Sequence, residues 1–349
     1  MAGTILRHMI EYVEKLPSPQ ELKDEVPLPE NLARVKLQRD SVLRDIFAGR
    51  SSLFLLVIGP CSADDERAVC EYVTRLARLQ EQVADKLFLV PRIYTNKPRT
   101  TGEGYKGMAH QKDPSSEPNI FEGMKAMRRM HVRVIQESGL TPADEMLYPG
   151  NYPYLDDILS YVAVGARSVE NQEHRLAVSG MDIPAGMKNP TSGDLEIMLN
   201  SIQAAQLPHD FAYNGWQVKT SGNKLAHAIL RGAVNQHGRN IPNYHYEDLH
   251  RLEEAYVKRA LAHPAILVDT NHANSNKVYS EQPRIAMEVL RNRQLSPVLK
   301  KMVKGLMIES YLASGNQKPG EKAYGKSITD PCLNWEDSEV LVKNMAAQT

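Results

Sequence analysis

From about residue 50 onward, short apolar runs alternate with longer amphipathic stretches. Eight of the short runs read as strands: SLFLLVIG (52–59), KLFLVPRI (86–93), ADEML (143–147), VGARS (164–168), IPAGMK (183–188), LAHAILRG (225–232), AILVDTN (265–271) and VKGLMIE (303–309). Most are continuously apolar, the pattern of parallel strands covered on both faces. The clearest helix between them is NIFEGMKAMRRMHVRVIQESG. Asn119 is a candidate N-cap, Glu122 three residues on completes a capping-box pattern, and Gly139 offers a left-handed end. Ile120, Met124, Met127, Val134 and Ile135 recur at helical spacing along one face. Weaker helical patterns cover 66–79, 194–206, 246–261, 284–292 and 337–345. Eight strands alternating with helices predict an α/β protein of the (β/α)8 TIM-barrel type. A further strand-like piece, FAYNGWQVKT, keeps an open doubly wound sheet as the alternative. Residues 1–48 are charged and contain LPSPQELKDEVPLPENL, which predicts an N-terminal extension with one or two short helices before a barrel domain at 49–349.

Composition narrows the function classes. With 42 Lys+Arg against 42 Asp+Glu, the chain has no net charge to draw nucleic acid or an acidic membrane surface. No apolar run approaches the roughly 18–20 residues needed to cross a bilayer. The opening MAGTILRHMIEYVEKL interrupts its apolar residues with charges, unlike a secretory signal. Three scattered cysteines, Cys61, Cys70 and Cys332, make no disulfide framework, so a cytoplasmic location is expected.

In a (β/α)8 barrel, chemistry gathers at the C-terminal ends of the strands. There the sequence offers two sets of residues. Arg92, Arg167, Lys188 and Arg231 follow successive strands, and Lys97 and Arg99 lie in the glycine-rich stretch NKPRTTGEGYKG (96–107). Brought together, these cations call for a polyanion: arginine grips phosphate or carboxylate with two donors, and lysine adds a compact charge. Thr100 adds a hydroxyl, and the glycines let backbone N–H groups approach phosphate. The second set is Cys61, His272, Glu309 and Asp330, a mixed S/N/O group suited to a divalent transition metal. No CxxC or HExxH spacing supports it, so a buried thiol at Cys61 and a capped loop histidine at His272 stand as the alternative reading.

Seven segments in order carry a resemblance: GPCSADD, KPRTTGEGYKG, VGARSVENQEHR, MKNPTSGD, DTNHANSNK, IESYLASGNQ and YGKSITDPCLNWED. Together they resemble the type I 3-deoxy-D-arabino-heptulosonate 7-phosphate (DAHP) synthases from about residue 30 to the C-terminus, and the N-terminal arm is similar to that of the microbial long form. The resemblance implies a (β/α)8 barrel with an N-terminal extension, assembled as a homodimer or homotetramer. It implies condensation of phosphoenolpyruvate with D-erythrose 4-phosphate and water, releasing phosphate, as the first step of the shikimate pathway to chorismate and the aromatic amino acids. It also implies a divalent metal (Mn2+, Fe2+, Co2+ or Zn2+) on Cys61, His272, Glu309 and Asp330. Phosphoenolpyruvate would lie among Arg92, Lys97, Glu145, Arg167, Lys188 and Arg231. Erythrose 4-phosphate would be held by Lys97, Arg99 and Thr100, with Lys97 and Glu145 the catalytic candidates.

Two anionic substrates carrying two phosphates and a carboxylate match about six cations. A related synthase acting on arabinose 5-phosphate is the nearest alternative, and KPRTT favours the four-carbon aldehyde. A Schiff-base aldolase using Lys188 and a catalytically silent phosphosugar sensor are further alternatives. The sequence departs from feedback-regulated relatives at Tyr148, Pro149, Tyr152 and Pro153, and at Ala177, Met181 and Asp182. Inhibition by phenylalanine or tyrosine is therefore expected to be weakened, absent or retuned.

Overall fold

The computed structural model describes residues 10–97, 99, 102–318, 321 and 323–349. Eight strands form one parallel sheet: β1 (Phe54–Gly59), β2 (Leu87–Pro91), β3 (Ala143–Glu145), β4 (Tyr161–Val164), β5 (Ala185–Lys188), β6 (Ala226–Leu230), β7 (Ile266–Asp269) and β8 (Val303–Glu309). Each strand pairs with its neighbours in chain order, and β8 pairs with β1. A parallel bridge from Arg92 to Ala143 joins β2 to β3, so the sheet closes into a barrel. That closure rules out the open doubly wound alternative.

The continuous apolar runs have a simple origin, because alternate residues face two different cores. Leu55, Val57, Val90, Tyr161, Ala163, Ile229, Leu267 and Met307 fill the barrel interior. Leu56, Ile58, Leu89, Val162, Ala228, Val268 and Leu306 belong to the core beneath the surrounding helices. Both faces of every strand are thus dry, as a parallel barrel requires.

Two helices precede the barrel, α1 (Pro19–Glu25) and α2 (Glu30–Phe47). Ser18 and Glu21 form a capping box on α1. At 18 residues α2 is longer than the sequence suggested, and its Leu43, Ile46 and Phe47 join the interior barrel core. The Phe47 ring lies 4.2 Å from the His227 ring, and Tyr161 Oη and His227 Nε2 are 2.8 Å apart. The N-terminal mouth of the barrel is therefore plugged by α2, which leaves the opposite mouth for chemistry.

The outer helices are α3 (Glu66–Val83), α4 (Ile120–Ser138), α5 (Gln172–Ser179), α6 (Leu195–Gln206), α7 (Tyr246–Lys258), α8 (Gln282–Leu295), α9 (Pro297–Met302) and α10 (Trp335–Gln348). The caps of α4 are those its sequence announces: the Asn119 side chain accepts from the Glu122 amide at 3.0 Å, and Gly139 ends the helix at φ 68°.

Two strand readings change. The fourth strand is Tyr161–Val164, not 164–168, because the chain turns at Gly165, whose carbonyl accepts from Ser168 and Val169 at 2.9 and 3.0 Å. Arg167 consequently stands in the loop beyond the strand. FAYNGWQVKT forms an antiparallel hairpin, Asp210–Tyr213 with Trp216–Lys219, outside the barrel sheet. Asn214 and Gly215 both have positive φ (48° and 80°), the backbone of a tight hairpin turn.

Candidate active site

A cavity of about 420 Å³ opens at the C-terminal ends of the strands. It brings together most of the residues singled out in the sequence: Cys61, Arg92, Lys97, Arg99, Glu145, Arg167, Lys188, Arg231, His272 and Asp330 all line it. Glu309 ends β8 opposite Gly59 of β1 and is fully buried at the cavity's base. Thr100 lies outside the described residues.

The cations are held by a few counter-ions and one aromatic ring. Arg92 is buried, with Nη2 2.7 Å from Glu309 Oε1. Lys188 Nζ is 3.2 Å from Asp269 Oδ2, the last residue of β7. Lys97 Nζ donates to Cys61 Sγ at 3.3 Å. Arg92, Lys97 and Lys188 all sit over the Tyr94 ring, at 4.0, 5.2 and 5.8 Å from its centre. A π face attracts cations without neutralising them, so their charge stays available to a ligand. Arg99 Nε donates to the Tyr105 carbonyl at 2.8 Å, turning its guanidinium back over the glycine-rich loop. Glu145 is buried where Gly165 opens space for it: a Cβ at 165 would lie 2.7 Å from Glu145 Oε1.

Seven lysines and arginines line the cavity against three carboxylates, Glu103, Glu145 and Asp330. Adding Asp269 and Glu309 beneath the wall still leaves cations in excess. Arg92 Nε and Nη1 and Arg231 Nη1 are buried without a hydrogen-bond partner among the described residues. Unpaired buried donors are costly, so this wall is built for an anion.

The protonation pattern fits the same picture. Burial works against the Lys97 ammonium, but Cys61, Glu145 and Glu309 outweigh it and hold its pKa above the usual lysine range. Burial pushes the Cys61 thiol up, as does Glu309, while Lys97 and Arg92 oppose them. Burial also opposes the Asp269 carboxylate, yet His272 and Lys188 hold its pKa well below the usual range. At Arg231 burial dominates and lowers the pKa, as expected of a guanidinium short of partners.

Ligand atoms of Cys61, Glu309 and Asp330 lie within 4.8 Å of one another, a set that could hold a metal ion. His272 borders it, with Nε2 4.0 Å from Glu309 Oε1 and Nδ1 2.9 Å from Asp269 Oδ2. Its φ of 55° is a left-handed conformation uncommon outside glycine. One cysteine sulfur, two carboxylates and a neighbouring imidazole make a donor set for borderline first-row divalent ions. The set therefore fits such a metal.

Four participants escaped the sequence reading. Tyr94 falls two residues after Arg92, so both point into the barrel, a signal the alternation carried. Asp269 was legible as the charged end of an apolar strand. Asn271, which donates to Glu309 Oε2 at 2.5 Å, and Lys277, 3.6 Å from Asp330, sit in a polar loop where only tertiary structure selects them.

Comparison with known proteins places this arrangement. Residues 27–343 match the DAHP synthetase I family. The chain is 37% identical over 346 residues to the Phe-sensitive phospho-2-dehydro-3-deoxyheptonate aldolase of Escherichia coli K12, covering 97% of this chain and 95% of that protein. It is 37% identical over 339 residues to the Tyr-sensitive enzyme of Salmonella typhimurium, covering 95% and 92%. A solved phospho-2-dehydro-3-deoxyheptonate aldolase from Francisella tularensis superimposes with a TM-score of 0.90 at 29% identity, covering 97% of this chain and 98% of that one. With a closed (β/α)8 barrel, a cation-lined mouth and full-length similarity all in agreement, the chain belongs to the DAHP synthetase I family and is an enzyme, a type I DAHP synthase.

Proposed function

We propose that the cavity binds phosphoenolpyruvate beside D-erythrose 4-phosphate and joins them to form 3-deoxy-D-arabino-heptulosonate 7-phosphate and phosphate. The observation that carries this reading is the set of partnerless buried guanidinium nitrogens on Arg92 and Arg231, facing a cavity with excess positive charge beside a metal-fitting cluster. In this reading Arg92, Arg167, Lys188 and Arg231 hold the phosphate and carboxylate of phosphoenolpyruvate. Arg99, with Thr100, holds the phosphate of the aldehyde. Lys97 lies between the two, and its ammonium Nζ offsets negative charge growing on the aldehyde oxygen and donates the proton that oxygen needs. Glu145, buried among cations, orients the water that completes the product and accepts its proton at a carboxylate oxygen. Cys61, His272, Glu309 and Asp330 hold a divalent metal (Mn2+, Fe2+, Co2+ or Zn2+), which when bound supplies Lewis-acid polarisation of the aldehyde carbonyl.

The N-terminal extension, residues 1–48, is assigned to assembly, and its helix α2 to plugging the barrel. Ile10, Tyr12 and Val13 are 70%, 93% and 87% exposed, a run of apolar side chains consistent with a homodimer or homotetramer. No helix among the described residues is long and apolar enough to cross a membrane, and a cytoplasmic enzyme is the reading we favour.

Phosphate release measured with phosphoenolpyruvate and either erythrose 4-phosphate or arabinose 5-phosphate tests the substrate assignment. Faster release with erythrose 4-phosphate is expected. Faster release with arabinose 5-phosphate would overturn it, and loss of activity on borohydride trapping with substrate would point instead to an imine at Lys188.

A further inference from the structure

We propose that Asp144 is a positioning residue whose carboxylate clamps the start of the Lys97–Gly107 loop to the end of β3, holding Lys97 and Glu145 in one register. The inference rests on the proposed function insofar as Lys97, Arg99 and Glu145 serve the reaction.

The argument begins with the ladder between β2 and β3. The Ile93 amide donates to the Ala143 carbonyl at 2.8 Å. The next amide in that parallel register, Thr95, would donate to the Glu145 carbonyl. That carbonyl is taken by Leu147 at 3.0 Å, because the chain turns there. The Asp144 side chain fills the gap. Its Oδ1 accepts from the Thr95 amide at 2.9 Å and from the Glu145 amide at 2.7 Å, and its Oδ2 accepts from the Thr95 hydroxyl at 2.5 Å. One buried carboxylate thus binds the residue two before Lys97 and the amide of Glu145 itself.

The other side of Thr95 is fixed as well. Its carbonyl accepts from Ala109 at 3.2 Å, and Lys97 N–H pairs with the Lys106 carbonyl at 2.9 Å. Gly107 makes this closure possible, since a Cβ there would lie 2.2 Å from the Thr95 carbonyl. Thr95 is therefore the anchor of the loop, and Asp144 is what ties that anchor to the barrel. The three donated hydrogen bonds favour the Asp144 carboxylate, while burial outweighs them and pushes its pKa up to about 7; in either form its oxygens are the acceptors that the Thr95 and Glu145 amides have here. His131 of α4 lies behind the carboxylate, its Nε2 3.6 Å from Asp144 Oδ2 and its Nδ1 2.8 Å from the Met127 carbonyl. Ordinary core polarity would not require a carboxylate to replace a missing ladder carbonyl beside two cavity residues.

The test uses the full chain with Asp144→Ala, Thr95→Val and Thr95→Ser. Two readouts are taken: kcat and KM for each substrate, and hydrogen–deuterium exchange of the 95–107 amides. Asp144→Ala is expected to lower kcat by about 100-fold, the cost of misplacing a reacting group by roughly 1 Å. The KM for erythrose 4-phosphate rises, while that for phosphoenolpyruvate changes less, because Arg167, Lys188 and Arg231 follow other strands, β4, β5 and β6. Loop amides exchange faster. Thr95→Val, which keeps the amide bond and loses the hydroxyl, shows the same pattern more weakly, and Thr95→Ser restores wild-type behaviour. Folded Asp144→Ala or Thr95→Val enzyme with wild-type constants and wild-type exchange would overturn the proposal. So would equal rises in both KM values with no change in loop exchange, the mark of a general packing role. Thr95→Val decides the matter if Asp144→Ala does not fold. Wild-type enzyme inactive on erythrose 4-phosphate would refute the functional reading alone, because loop exchange still reports the clamp.

Discussion

Lys97 meets both the sulfur of Cys61 and the face of Tyr94, and its ammonium is stabilised against burial by the surrounding negative charge. Replacing it with methionine keeps the stem and removes the charge. We expect kcat to fall by roughly 100- to 1,000-fold, the usual cost of losing one preorganised charge in a dry site. Steady-state rates with both substrates saturating check this, and a loss under tenfold would remove Lys97 from its assigned role. At Cys61 the expectation concerns the metal. Cys61→Ala leaves only carboxylates beside the imidazole, so tight binding of a thiophilic ion is lost and metal-dependent turnover goes with it. Metal content after gel filtration, measured alongside activity, is the check; retention of one tightly bound ion and full rate would sink the ligand assignment.

At the scale of elements, the N-terminal plug and the region beside β3 carry separate expectations. Phe47 of α2 is 1% exposed inside the barrel mouth and stacks near His227. Phe47→Ala should cost about 3–5 kcal/mol through the cavity it leaves. A denaturant midpoint within error of wild type would show that α2 does not plug the barrel in solution. Beyond β3, Pro149–Tyr154 forms a short 3-10 helix, and Tyr213 of the outer hairpin donates to the Pro149 carbonyl at 2.6 Å. Tyr152 and Tyr213, both partly buried, pack against the helix-side core there, and the cavity that Tyr148 and Tyr152 line beside β3 is only about 20 Å³. This packing supports the expectation that millimolar phenylalanine or tyrosine leaves initial rates unaltered; strong inhibition by either would contradict it.

Across the whole molecule, the alternation of apolar runs was enough to read the barrel, because every strand faces a core on both sides. The fourth strand was misread because Val164–Ser168 contains a glycine and an arginine that suit a strand end, whereas the preceding Tyr161–Val164 carries the actual pairing. The cations at strand ends were legible because a barrel puts strand ends in one place. Tyr94 and Asp144 were not singled out: one looks like core, and the other acts by replacing a backbone carbonyl whose absence only the turn at Glu145 reveals.

Two buried histidines give the molecule a pH response. Burial lowers His227 to about 3 and His131 to about 4, from 6.5. Between those values and 6.5 the unfolded chain takes up protons that the folded chain refuses, so the histidines' contribution is full above about 6.5 and declines as pH falls toward 3. Burial raises Asp64 and Asp144 to about 7, and their contribution runs the other way, growing as pH falls from about 7 toward 3.8. The change in urea midpoint from pH 7.5 to pH 5 should therefore be more favourable to the folded state in His227→Gln than in wild type; an identical change in both would contradict this.

The central claim is that the cation-lined mouth, completed by a metal on the Cys61 cluster, consumes phosphoenolpyruvate with a four-carbon aldose phosphate. Phosphoenolpyruvate absorbance, followed on adding erythrose 4-phosphate before and after chelation, tests it most directly. The account predicts loss of absorbance that stops with chelator and returns with added Mn2+. Absorbance unchanged by erythrose 4-phosphate, or consumption unaffected by complete removal of metal, would contradict it.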